Sequence, residues 1–354
     1  MAGKLRVGIL GVGTIGTVHA NAYKVVDGIE TAALCDVNET ALNKASETFG
    51  VSNCFTDFNQ FLKSDIDVVN VSVGNVLHKK CAIAALRAGK HVFLEKPMAM
   101  NAAEANEINA AAKKSGKVLQ IGMCRRFNAE AQVIRDCFKK GLLGEVYHTR
   151  AVLVRRRGIP GLGGWFTTKA QSGGGPMIDL GVHWFDLAMY LSDNWNPTAV
   201  SAKTYAKFGP RMKNYVYTEM WAGPPRLNGV FDVEDYSTGF VRFGKKATMS
   251  FEIAWACNME DAAFVELLGE KGGVRFAPGK PMVIYTEHGG KVADVQLQYD
   301  RNVNMYEAQA RALVRNCRGK KTEAATGPQG ATVMRLIDAI YASDKAGKEV
   351  RIGQ

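Results

Sequence analysis

Leu5-Arg6-Val7-Gly8-Ile9-Leu10-Gly11-Val12-Gly13-Thr14-Ile15-Gly16 is the stretch whose reading decides the fold of this 354-residue chain. Its first six residues make a short apolar run of the buried-strand kind. A complete G-x-G-x-x-G follows, then a segment able to form a helix to about Asp27. The next apolar run, Thr31–Cys35, stops at Asp36, about twenty residues beyond the glycines. Strand, glycine turn, helix, strand and acid is the arrangement that holds a dinucleotide. The glycines let the backbone approach a pyrophosphate, which rests on the unpaired N–H groups of the helix N-terminus. Gly11, Val12, Gly13, Thr14 and Ile15 are therefore the expected cradle. Asp36 can accept hydrogen bonds from ribose hydroxyls and would repel a 2′-phosphate, so NAD is expected ahead of NADP.

Working outward, the alternation continues. Ile66–Val73 reads as a strand, His78–Ala88 as a helix closing at Gly89, and His91–Leu94 as a strand ending in Glu95-Lys96-Pro97. A helix from about Asn101 to Lys114 and a strand at Val118–Ile121 follow. Strands alternating with helices imply a mostly parallel sheet with right-handed crossovers, and ligands bind beyond the carboxyl ends of such strands. Ser72, Asn75, Glu95 and Lys96 lie at those ends and are assigned to the cofactor side. Lys96, straight after a buried strand and held by a proline, reads as a site residue, with an ordinary surface charge as the alternative.

A second stretch carries chemistry: Gly173-Gly174-Gly175-Pro176-Met177-Ile178-Asp179-Leu180-Gly181-Val182-His183. Proline suits the first position of a helix. Asp179 and His183, four apart, then share a helical face. Gly181 between them costs a helix about 1 kcal/mol relative to alanine, which points to something approaching the backbone there. The pair over a bare backbone makes a floor for acid–base chemistry; the alternative is a helix start with a core histidine.

Bulk properties narrow the class. The length suits roughly two domains, here expected as 1–124 and 125–354. Hydrophobic residues at 47% and charged residues at 22% are ordinary for a globular chain. No apolar run approaches the roughly 20 residues of a membrane span, and the start enters a strand with no signal-peptide core. Seven cysteines, odd in number and without Cys-x-x-Cys, read as small buried hydrophobes of a reduced, cytoplasmic protein. A net charge of +11 is dispersed apart from Arg155-Arg156-Arg157, which argues against nucleic acid and fits anionic cofactors and metabolites. The six histidines do not pair at metal-binding intervals, so no metal is expected.

Further along, Asn128–Lys140 reads as a helix and Glu145–Arg157 as a strand. The Gly- and aromatic-rich run that ends in Trp165-Phe166 suits a loop at a pocket mouth. Arg156 and Trp165 there either contact cofactor phosphate or a sugar face, or form a solvated basic turn with a packing aromatic; both readings stay open. Alternating runs at Ala199–Ala206, Ser237–Phe243, Ala247–Ala256 and Ala263–Leu268 read as antiparallel strands, with Asn214–Val233 an irregular insertion. Helices at Asn304–Cys317 and Gln329–Ala346 and a short strand at Val350–Ile352 finish the chain; Tyr306 is read as a packing residue. A broad sheet with an apolar outer face needs a cover, and a second copy of the chain is the expected one.

Glu95-Lys96-Pro97 taken with Asp179-Leu180-Gly181-Val182-His183 resembles the glucose–fructose oxidoreductase, inositol dehydrogenase and MocA (Gfo/Idh/MocA) family over the whole chain. The resemblance implies an α/β fold: a Rossmann domain followed by an α/β domain with a large, open, mostly antiparallel sheet, through which homodimers or homotetramers form. It implies NAD(P)-dependent hydride transfer at a hydroxyl of a sugar, polyol or glycoside. By resemblance, Lys96 contacts the reacting hydroxyl, His183 is the catalytic acid/base, and Asp179 positions substrate and tunes the proton transfer. Asn75 and His78 match the family's Asn-x-x-His near the cofactor, although Val73-Gly74 stands where Thr-Pro is common. The Lys-Pro peptide is cis in many relatives. Lys96, Arg126, Arg156, Trp165, Asp179 and His183 form the expected substrate set. Two alternatives accompany this reading: a glycoside-cleaving enzyme that oxidises the sugar transiently with tightly held NAD, and a non-catalytic NAD or sugar sensor. The intact Lys96, Asp179 and His183 argue against a sensor, which has no need of a proton-transfer set.

Overall fold

In the computed structural model, which describes residues 3–217 and 220–353, the chain forms two units. The first begins with β1 (Leu5–Leu10), α1 (Thr14–Val25), β2 (Ile29–Cys35), α2 (Glu39–Phe49), β3 (Cys54–Phe55) and α3 (Phe58–Leu62). It continues through β4 (Val68–Val71), α4 (His78–Arg87), β5 (His91–Leu94), α5 (Ala102–Ser115) and β6 (Leu119–Ile121). These six strands are parallel in the order β6-β5-β4-β1-β2-β3. The helices carry their own stop and start signals. Asn38 and Asn101 accept the backbone N–H groups of Ala41 and Glu104, and Gly50 and Gly116 close α2 and α5 in the left-handed conformation.

The second unit holds α6 (Ala129–Lys139), β7 (Val146–Val154), α7 (Lys169–Ser172), α8 (Val182–Ser192) and β8 (Ala199–Tyr205). After an irregular segment come β9 (Tyr236–Phe243), β10 (Ala247–Ala254), β11 (Ala262–Gly269), β12 (Gly272–Phe276), β13 (Met282–His288) and β14 (Lys291–Leu297). The sheet order is β14-β13-β12-β11-β7-β10-β9-β8, antiparallel throughout except where β10 runs parallel to β7. The apolar helix α8 packs across β7 and β11 on one face. The opposite face is not the apolar surface expected. Glu266 pairs there with Arg150 and Arg275, and both guanidiniums lie over the Phe264 ring. The alternation of the pleat sends Arg150, Phe264 and Glu266 outward while Ala151, Val265 and Leu267 face the core.

The chain then returns. α9 (Met305–Cys317) and β15 (Ala325–Thr326) belong to the first unit, where β15 adds an antiparallel edge to β6. α10 (Gly327–Ala346) starts in the first unit and ends in the second, where β16 (Val350–Arg351) pairs with β8. The units are therefore residues 1–127 with 303–331, and 128–302 with 332–354, rather than two consecutive segments cut at 124/125. The reason is burial: Ala310, Leu313 and Val314 of α9 sit in one apolar cluster with Val7, Ile9, Val68 and Phe93 of the sheet and Ala20 and Tyr23 of α1.

Candidate functional site

In the first unit the glycine loop crosses the carboxyl end of β1. Gly11 has φ +90°, and a Cβ there would lie 2.5 Å from the Ser72 carbonyl oxygen, so only glycine fits. A Cβ on Gly16 would run into the carbonyl of Gly11, whereas one on Gly13 would meet nothing within 4 Å. Gly13 caps α1 with no side-chain hydrogen bond, which leaves the first N–H groups of the helix for an anion. Asp36, at the end of β2, accepts from Val12 N (2.9 Å) and Asn38 N (2.9 Å). Those two bonds hold its carboxylate beside the loop. A bare loop, an uncapped helix and a fixed acid fit a dinucleotide with the acid on its ribose.

The ends of β4 and β5 are tied together. Ser72 contributes its carbonyl to the seat of Gly11, while its hydroxyl donates to Asn70, whose amide donates to Tyr23. Asn75 is buried. His78 is buried too, with Nδ1 2.7 Å from Pro97 O and Nε2 3.0 Å from Val73 O, so its ring links the loop after β4 to the loop after β5. Burial lowers its pKa, against the pull of the two carbonyls. The Lys96–Pro97 peptide is cis.

Glu95 was expected on the cofactor. Its Oε1 meets His19 Nε2 at 2.6 Å and its Oε2 accepts the N–H of Lys96 at 3.0 Å, so the carboxylate ties α1 to the backbone of Lys96. His19 is a residue that sequence reasoning missed. The available signal was a polar side chain on the buried face of α1, in line with Gly16, Ala20 and Tyr23. The Tyr306 ring packs edge-on against His19 at 5.7 Å.

In the second unit, Pro176 opens the helix as expected, but Met177–Gly181 form a π-turn, closed by Val182 N–H reaching back to Met177 O. Such single-turn widenings recur at functional sites. Asp179 lies in the π-turn and His183 in the first turn of α8. Asp179 Oδ2 accepts the indole N–H of buried Trp255 at 3.0 Å. A Cβ at Gly181 would come within 3.3 Å of the Phe185 ring and make ordinary contact with the Met177 side chain. The glycines that crowding demands are Gly174, where a Cβ would run into the Tyr341 hydroxyl, and Gly175, where it would strike the Glu234 carbonyl. Buried Glu234 accepts from Gly175 N and Met177 N at 3.1 Å and from Tyr341 OH at 2.9 Å. Burial pushes its pKa up against those donors. Glu234 and Trp255 were both missed, because they lie 57 or more residues from the turn they hold.

Three further expected residues have other surroundings. Arg126 is 1% exposed and donates to Glu323 O and Gln329 Oε1, so packing encloses the guanidinium that was assigned to substrate. Arg156 is exposed, with its backbone N–H held by Asp261. Trp165 is partly exposed and stacks on Phe166 at 3.8 Å, and Phe166 meets Trp221 edge-on at 5.1 Å. The loop around them is pinned to the irregular segment by Ala222 N to Pro160 O and Arg226 N to Leu162 O, both 2.8 Å. All seven cysteines are free. No described helix is long and apolar enough to cross a membrane.

A parallel sheet with a bare glycine loop and an acid after its second strand, joined to a large mixed sheet, defines a nucleotide-dependent oxidoreductase. The chain belongs to the Gfo/Idh/MocA family. Residues 5–123 match the oxidoreductase family with an NAD-binding Rossmann fold, and residues 131–275 match the GFO/IDH/MocA C-terminal domain. D-glucoside 3-dehydrogenase of Escherichia coli is 32% identical over 98% of this chain and 97% of its own length. 1,5-Anhydro-D-fructose reductase of Ensifer adhaerens is 28% identical over 98% of both. A levoglucosan dehydrogenase in complex with NADH superposes with a TM-score of 0.86 at 21% identity, over 99% of this chain and 100% of that one, and shares the fold.

Proposed function

We propose that this chain is a cytoplasmic NAD-dependent dehydrogenase that oxidises a secondary hydroxyl of a sugar, polyol or glycoside. The observation that carries the reading is Asp179 in a braced π-turn with His183 in the first turn of the helix that follows, in a chain that also has the bare glycine cradle and its Asp36. The full-length likeness to a D-glucoside dehydrogenase supports a glycoside or pyranose as substrate. NAD is preferred to NADP because a 2′-phosphate would sit against the Asp36 carboxylate.

NAD, held by Gly11, Val12, Gly13, Thr14, Ile15 and Asp36, supplies the hydride acceptor when bound. The residues of the chain handle the proton. Oxidation of the hydroxyl carbon releases its O–H proton, and His183 accepts it, since imidazole titrates near neutrality without extensive tuning. Asp179, on the turn just before His183, positions the substrate hydroxyl for that transfer. The Lys96 ammonium stabilises the developing alkoxide. Homodimers or homotetramers through the nine-stranded sheet are part of the proposal, on the charged and aromatic outer face that Arg150, Phe264 and Glu266 provide.

The test is incubation of the protein with NAD or NADP and a panel of polyols, pyranoses and glycosides. Reduction of the nicotinamide by a sugar supports the reading. Release of an aglycone with no net reduction would assign the glycoside-cleaving activity instead, and binding with neither would assign a sensor.

A further inference from the structure

Trp255 follows the last residue of β10 and is fully buried. Its backbone is held on both sides, with its N–H donating to Asp235 O at 2.9 Å and its carbonyl accepting Gly158 N at 2.7 Å. With its main chain fixed there, the side chain has little room to reorient in a close-packed interior. Its indole N–H, a donor that cannot accept, points at Asp179 Oδ2 at 3.0 Å. The turn that carries Asp179 is held at its start as well, by the Glu234 carboxylate on Gly175 N and Met177 N. One carboxylate oxygen of Asp179 is thereby set relative to a rigid frame before any substrate arrives.

We propose that Trp255 is a positioning residue for the reaction, its indole N–H fixing the orientation of the Asp179 carboxylate. Packing alone does not explain the residue: a phenylalanine would fill much of the same apolar space, and only the N–H supplies a donor to an ionised oxygen. The inference rests on the reading of Asp179 as a catalytic group.

The test is a double-mutant cycle in the full chain, with NAD and the best sugar of the panel. Trp255→Phe is expected to lower kcat about tenfold while KM for the sugar changes less than about threefold, the loss expected when a hydrogen bond to a charged group is removed. In the Asp179→Asn background the same substitution is expected to leave kcat unchanged, because its effect passes through Asp179. Parental kcat in Trp255→Phe, or an equal fold-loss in both backgrounds, overturns the proposal. Full turnover in Asp179→Asn alone overturns the catalytic reading and this inference with it, and that outcome is seen without touching Trp255. Should Trp255→Phe not fold, Trp255→Leu, which likewise lacks the donor, carries the same cycle.

Discussion

His19 Nε2 lies 2.6 Å from Glu95 Oε1, and neither side chain reaches bulk solvent. The contact joins the helix that follows the glycine loop to the residue before Lys96, whose N–H the same carboxylate holds. Removing one partner of a buried pair strands the other, at a cost of about 3–5 kcal/mol. His19→Ala is therefore expected to lower the unfolding free energy by about 3 kcal/mol in a urea titration. A loss below about 1 kcal/mol would mean that the pair contributes little.

His183→Ala is expected to cut kcat by at least about a hundredfold, the usual size of a general-base contribution. The affinity for NADH, measured by fluorescence titration, should stay within about twofold, because the cradle lies in the other unit. Unaltered turnover would remove His183 from the mechanism.

Cofactor choice is open to a direct swap. Asp36→Ser with Val37→Arg removes the carboxylate and offers a guanidinium to a 2′-phosphate. The ratio of NADP to NAD affinity is expected to rise at least about tenfold. An unchanged ratio would show that Asp36 does not read the ribose.

The clamp on the π-turn makes its own prediction. A methyl group on Gly175 would strike the Glu234 carbonyl, so Gly175→Ala is expected to destabilise the fold by about 1–3 kcal/mol. Glu234→Gln keeps the shape but turns one acceptor into a donor, facing either Gly175 N at the Oε2 position or Met177 N at the Oε1 position. It should lower kcat more than it changes the KM for sugar. Parental kcat in Glu234→Gln would separate the clamp from turnover.

Acid sensitivity follows from His78. Its folded pKa is lowered by burial, so below the ordinary value of 6.5 the unfolded chain takes up a proton that the native state resists. Stability therefore falls as pH drops below about 6.5, and the sign is the same for His91 and His148, whose pKa values burial also lowers. Melting temperatures measured from pH 7.5 down to 5.5 (both about) should show the decline, and His78→Gln should flatten it. An equally steep slope in that variant would assign the effect to other groups.

The parallel sheet was legible because β1, β4 and β5 are short apolar runs closed by glycine, serine or acid, a pattern that few other arrangements satisfy. The far edge of the second sheet was not. β14 has no buried residue, and Val292 is 87% exposed, so no alternation marks it as a strand. At the candidate site, spacing alone singles out Asp179 and His183, yet the widened turn that carries Asp179 is held by Glu234 and Trp255, which local sequence does not place there. The surroundings of Arg126 were hidden for the same reason: its partners Glu323 and Gln329 arrive about 200 residues later, and only the folded chain shows the guanidinium enclosed.

The return of residues 303–331 to the first unit means that the backbone passes between the units three times, at 127/128, 302/303 and 331/332. A single proteolytic nick at 127/128 severs residues 1–127 from the 303–331 segment that completes the same unit. A truncation after residue 127 would strip Ala310, Leu313 and Val314 from the cluster around Val7, Ile9 and Phe93 and expose that surface to water. The nucleotide-binding half is therefore not a detachable module. A swap of this half between relatives would have to carry two separated segments of the gene, with α9 travelling alongside the α1 helix it packs against.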